Sequence, residues 1–177
     1  KLALCALNLE QENMEEAWEA ASEVLATATE AGFRSLVVRA NCFLGQAEID
    51  AGQLHPAIER FDQTVAEASK LGLTEELIRS WRLRSKACLA VGDATEALLS
   101  LERAVDLADK IRKALYGGIR DSFLERKDIR EAVRGYSSLM KLAGEKEEAA
   151  RVLELFALPK RANRDDELED TEEITAI

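Results

Sequence analysis

The sequence predicts an all-α protein in which antiparallel helix pairs stack into an α-solenoid. Gly52 is followed five residues later by Ala57, and the same signal returns 40 residues further on at Gly92 and Ala97. A fixed period of roughly 20–50 residues is typical of stacked supersecondary units. Apolar residues also recur at helical spacing, and the chain holds only two prolines. Together these observations favour helices packed on helices.

The step of 40 residues links small residues elsewhere in the chain. Gly32 stands one step before Gly72. Two alanine series keep the same step: Ala17, Ala57 and Ala97, and Ala28, Ala68 and Ala108. A small residue at a fixed position lets two helix backbones approach closely, so each series is expected to mark a helix crossing.

Local signals place the ends of the predicted helices. Short polar side chains can accept a hydrogen bond at a helix start, and glycine adopts the left-handed conformation of a C-terminal cap. The predicted N-caps are Asn13, Thr74 and Asp93, and the predicted helix stops are Gly32, Gly52 and Gly72. Helical spacing also predicts a core, whose larger members are Trp18, Leu44, Phe61, Trp81, Val91, Leu101 and Phe156.

The register changes after residue 110. The step from Ala97 to Ala132 is 35 residues, so a shorter connection is expected there. Gly117 and Gly118 fall where a helix interior is expected, at a cost of about 1 kcal/mol each relative to alanine. A helix start or close helix packing is one interpretation of this pair, and a hinge is the other. Helices are predicted again at 128–143 and 145–158.

Two segments are expected in the chain: a helical repeat domain at 1–158 and an acidic disordered tail at 159–177. Seven acids lie between Asp165 and Glu173, with little apolar content around them, which is typical of a disordered segment. Lys1 stands inside an apolar helical pattern without a cap. The sequence is therefore interpreted as a fragment of a longer protein.

Composition argues against several classes of function. A net charge of −10 disfavours non-specific binding of nucleic acid, which needs clustered Lys and Arg. No apolar run reaches the roughly 20 residues that cross a bilayer. The three cysteines are far apart and His55 is the single histidine, which argues against a metal site, a disulfide framework or a nucleophile–base pair. We therefore expect the protein to have no cofactor, no metal and no catalytic activity. The three cysteines are expected to be reduced thiols, so the predicted location is the reducing cytoplasm.

Two of the predicted units resemble tetratricopeptide repeats. That family has W-x2-L-G-x2-Y on the first helix of each pair and A-x3-F on the second. One unit has Leu44-Gly45 followed by Ala57 and Phe61, although Asn41 and Glu48 replace its bulky first residue and its Tyr. The next unit has Trp81, Ala97 and Leu101, with Arg84-Ser85 in place of Leu-Gly. Weaker units are Leu4 with Ala17, and Tyr116, Ile119 and Phe123 with Ala132 and Tyr136.

The resemblance implies a right-handed solenoid of about four repeats. Its step of 40 residues exceeds the family's usual period of about 34 and is similar to the long-repeat branch that includes kinesin-light-chain-like proteins. Gly144 with Ala149 has the spacing of the turn between paired helices, but strict alternation of first and second helices makes segment 145–158 either a first helix or a cap. A C-terminal capping helix is the preferred prediction, because a repeat array needs a terminal element to shield its last core.

The resemblance also implies a concave groove lined by the first helix of each pair. The family's groove positions correspond here to Arg39, Cys42, Gln46, Ile49, Asp50, Arg79, Arg82, Lys86, Leu89, Asp121, Leu124 and Glu125. The preferred candidates for peptide contact are Arg39, Gln46, Arg79, Arg82, Lys86 and Leu89. Three of their basic residues share one helix face, so they form either a basic binding stripe on an acidic molecule or a solvated surface.

Two functions follow from these patterns. The first is a non-catalytic scaffold that binds a protein or peptide segment, with acidic groups meeting the basic stripe. The alternative is a sensor or oligomerisation segment of a larger regulatory protein, with its effector domain outside this sequence. In that alternative, the ends of the array at 2–9 and 152–156 are the contact surfaces, and the protein is a homo-oligomer.

Overall fold

A computed structural model describes residues 1–10 and 13–158 of the chain. These residues form nine α-helices. The helices are α1 (Leu2–Glu10), α2 (Met14–Glu30), α3 (Arg34–Asp50), α4 (Leu54–Leu71), α5 (Thr74–Ala90), α6 (Ala94–Ala114), α7 (Gly117–Glu125), α8 (Lys127–Leu142) and α9 (Lys146–Leu155). The predicted tail at 159–177 lies outside the described residues, and its disorder stays a prediction.

Consecutive helices pack as pairs, and each pair packs on the next. Helices α1 and α2, α3 and α4, and α5 and α6 form the first three pairs, with a further extensive contact between the second helix of each pair and the first helix of the next. The first helices α1, α3 and α5 also contact one another in sequence. The described chain is therefore the all-helical stack of pairs that the sequence predicts, with first helices forming one layer.

The turns between helices use one hydrogen-bonding pattern. After α3, the N–H of Gly52 donates to the carbonyl of Ile49 at 3.0 Å, and the N–H of Gln53 donates to the carbonyl of Glu48 at 2.8 Å. Gly52 has a φ of 76°, a conformation that side chains rarely adopt. The same pair of bonds closes the helices that end before Gly32, Gly72, Gly92 and Gly144. The predicted helix stops are confirmed.

The helix starts differ more from expectation. The carboxylate of Asp93 accepts a hydrogen bond from the N–H of Glu96 at 3.0 Å, as expected of an N-cap. Asn13 occupies the N-cap position of α2, but its side chain makes no capping bond. The expectation for Thr74 was wrong, because Leu73 occupies the N-cap and Thr74 is the first residue of α5.

The cap at Asp93 predicts a measurable difference between two similar helix starts. We expect Asp93→Ala to lower the free energy of unfolding by about 1 kcal/mol, because one N–H of α6 loses its acceptor. The matched control is Asn13→Ala, which removes a side chain that caps nothing and should leave stability unchanged. Urea unfolding followed by circular dichroism measures both variants. Equal effects of the two substitutions would contradict the assignment of the cap.

The core is built from small residues at the helix crossings and larger ones beside them. Phe61 is fully buried in α4 with its ring against Gly45 of α3, and Ala57 is fully buried one turn earlier. Trp18 was expected in the core but is exposed. The residues at its position in the next two pairs, Ile58 and Leu98, are only half-buried, so this position lies at the edge of the apolar face. Val91 was also expected in the core but is exposed, because it lies beyond the end of α5.

The fourth pair differs from the prediction. Helix α8 packs against both α5 and α6, as a first helix does, and α9 packs on α8. Helix α7 makes only small contacts with α6 and α8. Therefore α8 and α9 form the fourth pair, and the short helix α7 is an insertion before it. The predicted unit of Tyr116 with Ala132 is incorrect, and the segment expected as a separate cap is the second helix of the last pair.

The inserted helix explains the two adjacent glycines. Helix α6 ends at Ala114, and α7 begins at Gly117, with Tyr116 in the N-cap position. A Cβ atom added to either Gly117 or Gly118 would meet no atom within 4 Å. The glycines therefore mark a helix start and do not serve close packing.

Candidate functional site

The first helices form one surface that contains two adjoining clefts. The larger cleft has a volume of about 530 Å³ and is bordered by Cys42, Phe43, Gln46, Asp50, Arg79, Arg82, Leu83, Lys86, Lys127, Asp128 and Glu131. The smaller has a volume of about 320 Å³ and is bordered by Leu2, Ala3, Arg39, Phe43, Glu75, Glu76, Arg79 and Arg126. Phe43 and Arg79 border both clefts. We call the two clefts together the inner groove.

Five of the six preferred candidates border the inner groove. Arg39 lies at the smaller cleft, while Gln46, Arg82 and Lys86 lie at the larger one and Arg79 lies where they meet. Leu89 is exposed near the end of α5 and borders neither cleft. Helices α3 and α5 thus supply most of the groove, because their first-helix positions face the same side of the stack.

Acidic residues of neighbouring helices pair with the basic residues of the larger cleft. The Lys86 ammonium lies 3.0 Å from a carboxylate oxygen of Asp50, which joins α5 to α3. Gln46 donates to the other carboxylate oxygen of Asp50 at 2.7 Å. The Arg82 guanidinium lies 2.7 Å from the carboxylate of Glu131, which joins α5 to α8. The positive charges of Arg82 and Lys86 in the predicted basic stripe are therefore neutralised by acidic residues of the protein itself.

The smaller cleft has the same kind of pairing between helices. Arg39 of α3 donates to the carboxylate of Glu76 in α5 at 2.6 Å. Arg126, between α7 and α8, donates to Asp128 at 3.0 and 3.2 Å and also binds Glu75 of α5. The hydrogen bond to Asp128 has the largest effect on the pKa of Arg126 and raises it above its usual value, and the hydrogen bond to Glu75 also raises it. The first turn of α5 is thus tied to both neighbouring first helices.

Arg79 differs from the other basic residues of the groove. Its guanidinium lies over the ring of Phe43, 5.4 Å from the ring centroid, and its side chain is exposed. Among the side chains that the structure describes, no carboxylate lies within ion-pairing distance of its guanidinium. A cation held over an aromatic face keeps its donors free for another group. Arg79 therefore presents unpaired donors at the point where the two clefts meet.

Arg82 adds a buried donor beside Arg79. Its Nε is buried and has no hydrogen-bond partner in the described part of the chain. Burial lowers the pKa of Arg82, although Glu131 acts in the opposite direction. A buried donor without an acceptor is uncommon and costs roughly 1–3 kcal/mol.

Helix α8 contributes groove residues that the sequence did not predict. Lys127, Asp128 and Glu131 border the larger cleft. The expected contributors from the last unit were Asp121, Leu124 and Glu125. Leu124 is instead buried in the core, and the other two lie on α7 outside both clefts. A signal was present, because Gly144 followed by Ala149 repeats the mark of a turn between paired helices.

The three cysteines lie in the core and are free thiols. Burial raises the pKa of Cys42 to about 11, and its Sγ lies 3.3 Å from the hydroxyl of Ser80. Burial also raises the pKa of Cys5 and of Cys88. A thiol with a raised pKa is a poor nucleophile at neutral pH. Although Cys42 borders the larger cleft, its chemistry there is that of a small apolar side chain.

In the described part of the chain, no helix combines the length and the apolar composition of a membrane span. The same residues contain no cluster of His, Cys, Asp and Glu that has the arrangement of a metal site.

Comparison with known proteins identifies the fold. No protein-family model and no curated protein sequence matches the chain. Among solved structures, a kinesin-light-chain-like protein of Podosopora anserina with nearly identical TPR-like repeats matches with a TM-score of 0.53 and 17% identity, over 88% of this chain and 90% of that chain. The MamA protein matches with a TM-score of 0.43 and 15% identity, over 99% and 94%. The predicted resemblance is confirmed for the fold: this chain is a tetratricopeptide-like helical solenoid.

Proposed function

We propose that the chain is a non-catalytic protein-interaction scaffold that holds a segment of a partner protein in the inner groove. The observation that carries this proposal is Arg79, whose donors stay unpaired at the junction of the two clefts. An arginine in that position is suited to a carboxylate of a bound segment, because its planar guanidinium can donate two parallel hydrogen bonds.

The shape of the groove supports a segment of chain as its occupant. Both clefts lie along the layer of first helices and run into each other at Phe43 and Arg79. Apolar side chains are present, since Phe43 is partly exposed where the two clefts meet and Leu2 is partly exposed at the smaller one. A peptide could therefore bury apolar side chains beside a central charged contact, and a few polar groups among apolar ones are the usual composition of a binding site.

The pairing of charges limits how acidic the partner needs to be. Arg39, Arg82 and Lys86 each have an acidic partner within the protein, so they attract a second carboxylate less strongly than free cations do. The preference for acid is concentrated at Arg79. We accordingly propose a segment with one acidic group among apolar residues, and not a uniformly acidic chain.

The test uses two fluorescent peptide libraries of equal length and random composition, one with a fixed central Glu and one with a fixed central Gln. The Glu library should bind the protein more tightly, and Arg79→Ala should remove that preference. The loss of a hydrogen bond to a charged group is expected to weaken binding by roughly tenfold or more. Fluorescence anisotropy at low salt measures both quantities.

Arg103→Ala is the matched control for this experiment. Arg103 also lies over an aromatic ring, 4.6 Å from the centroid of Trp81, but it belongs to α6 and borders neither cleft of the groove. Its substitution should leave the preference for Glu unchanged. If Arg79→Ala binds both libraries as the unchanged protein does, the groove is not the binding site.

A further inference from the structure

The larger cleft of the inner groove has an excess of positive charge. Every acidic residue that borders it already has a basic partner, in the pairs Lys86–Asp50, Arg82–Glu131 and Arg126–Asp128. Two basic residues that border the same cleft, Arg79 and Lys127, have no acidic partner among the described side chains, and both are exposed. A chain with a net charge of −10 thus keeps two free cations in one cleft.

The two free cations lie side by side between α5 and the start of α8. Two ion pairs join these segments, Glu75 with Arg126 and Arg82 with Glu131. The partners follow one another in the same order along both segments, so the two run in the same direction. Arg79 stands between the two paired residues of α5, and Lys127 stands between the two paired residues at the start of α8. The free cations are therefore about one helical turn, or less, apart along the helices.

A phosphorylated side chain suits this pair of cations better than a carboxylate does. A phosphate monoester has a charge of about −1.5 to −2 at pH 7 and three acceptor oxygens, whereas a carboxylate has a single charge and two oxygens. The Arg79 guanidinium can donate two parallel hydrogen bonds, and the Lys127 ammonium can donate to the remaining oxygen. One phosphate can therefore neutralise both cations.

Two neighbouring carboxylates have nearly the same total charge but a different geometry. Successive side chains of an extended segment point to opposite sides. When one of two adjacent acids enters the cleft, the other therefore points away from it. A single doubly charged group fits two adjacent cations, and two adjacent acids do not.

We infer that the acidic group of the partner segment is a phosphorylated hydroxyl side chain, whose phosphate lies between Arg79 and Lys127. The inference rests on the proposed function, because it concerns the segment that the inner groove holds. It adds a means of regulation: a kinase that acts on the partner controls when the scaffold binds it. The unmodified hydroxyl group has no charge and leaves both cations without a partner.

Fluorescent peptide libraries of equal length and random composition test this inference with the full 177-residue chain. The fixed central residue is phosphoserine, Glu or Gln, and a fourth library has two adjacent central Glu residues. The phosphoserine library should bind roughly tenfold more tightly than the Glu library, because it gains one more hydrogen bond between charged groups. The library with two Glu residues should bind as the single Glu library does. Fluorescence anisotropy at low salt measures all four affinities.

Lys127→Gln distinguishes this inference from the proposed function. It should remove the advantage of phosphoserine over Glu and leave the preference for Glu over Gln, which depends on Arg79. Arg79→Ala should remove both. Lys141→Gln is the matched control, because Lys141 is an exposed lysine of the same helix that borders neither cleft. It should bind every library as the unchanged protein does, and circular dichroism shows that each variant is folded.

The failures of the two proposals differ. A preference for Glu over Gln without a further gain from phosphoserine overturns the inference and leaves the proposed function standing. Equal binding of all four libraries overturns both. An advantage of phosphoserine that survives Lys127→Gln, or two Glu residues that equal phosphoserine, also overturns the inference. Inorganic phosphate at the concentration of the peptide should not displace it, and displacement would assign the cleft to a free phosphate ion in place of a phosphorylated segment.

Discussion

Replacing Gly45 with valine is expected to destabilise the protein by about 3 kcal/mol, because no space exists for a side chain at this crossing. A Cβ atom on Gly45 would lie 2.6 Å from Cζ of Phe61 and 2.9 Å from its Cε1. Carbon atoms that are not bonded pack at roughly 3.5–4.0 Å, and the ring of Phe61 is fully buried, so it cannot move aside. Urea unfolding followed by circular dichroism measures the loss.

Two further variants define the cause of that loss. Gly118→Val makes the same change in the first turn of α7, where an added Cβ meets no atom within 4 Å. It should be neutral or slightly stabilising, since valine is a better helix former than glycine. The pair Gly45→Val with Phe61→Ala should cost less than the sum of the single changes, because removing the ring frees the space. A strictly additive result would show that the ring is not the obstacle.

Arg60→Ala is expected to cost about 3 kcal/mol of stability, because it leaves the carboxylate of Glu48 buried without a counter-charge. Glu48 is almost fully buried in α3, and Arg60 of α4 donates to its two oxygens at 2.6 and 2.9 Å. Arg60 also donates to the side-chain oxygen of Asn41 at 3.0 Å. About a quarter of the Arg60 side chain is exposed, which places the expected loss at the lower end for buried pairs.

Two matched variants separate the cost of the orphaned carboxylate from the loss of an ion pair. One removes both charges of the buried pair, and the other breaks an exposed pair elsewhere. The double variant Arg60→Leu with Glu48→Leu should recover most of the stability lost in Arg60→Ala, because no charge then remains buried. Arg151→Ala breaks an exposed pair with Glu148 within α9 and should cause no measurable change. Thermal and urea unfolding of the three variants provide the test. A double variant as unstable as Arg60→Ala would mean that the pair itself, and not the orphaned acid, matters.

The fold was predictable because its signals are local. Glycines such as Gly52 close the helices through backbone conformation, and the alanine at each crossing follows at a constant distance, as Ala57 does. The fourth pair was missed because the prediction required strict alternation of first and second helices. Helix α7 breaks that alternation. Gly144 and Ala149 have the spacing of the turn between paired helices and indicate the pair of α8 and α9, but strict alternation excluded that interpretation.

The groove was only partly predictable, because its electrostatics depend on contacts between distant parts of the chain. The repeat positions indicated Arg39, Arg79, Arg82 and Lys86 as neighbours on one surface, and these four border the groove. Their acidic partners come from other pairs, as Asp50 does for Lys86. Periodicity gives the side of a helix that a residue occupies, but not the residue that faces it on the next helix. For the same reason, the free guanidinium of Arg79 could not be distinguished in the sequence.

The ion pairs of the inner groove also affect how the array bends. Arg39 with Glu76, Lys86 with Asp50 and Arg82 with Glu131 each join two first helices from different pairs. A motion that moves the first helices of consecutive pairs apart would lengthen these three ion pairs. Such links weaken as ionic strength rises, because salt screens charges that remain in contact with water. The resistance of neighbouring first helices to separation should therefore fall as salt is added.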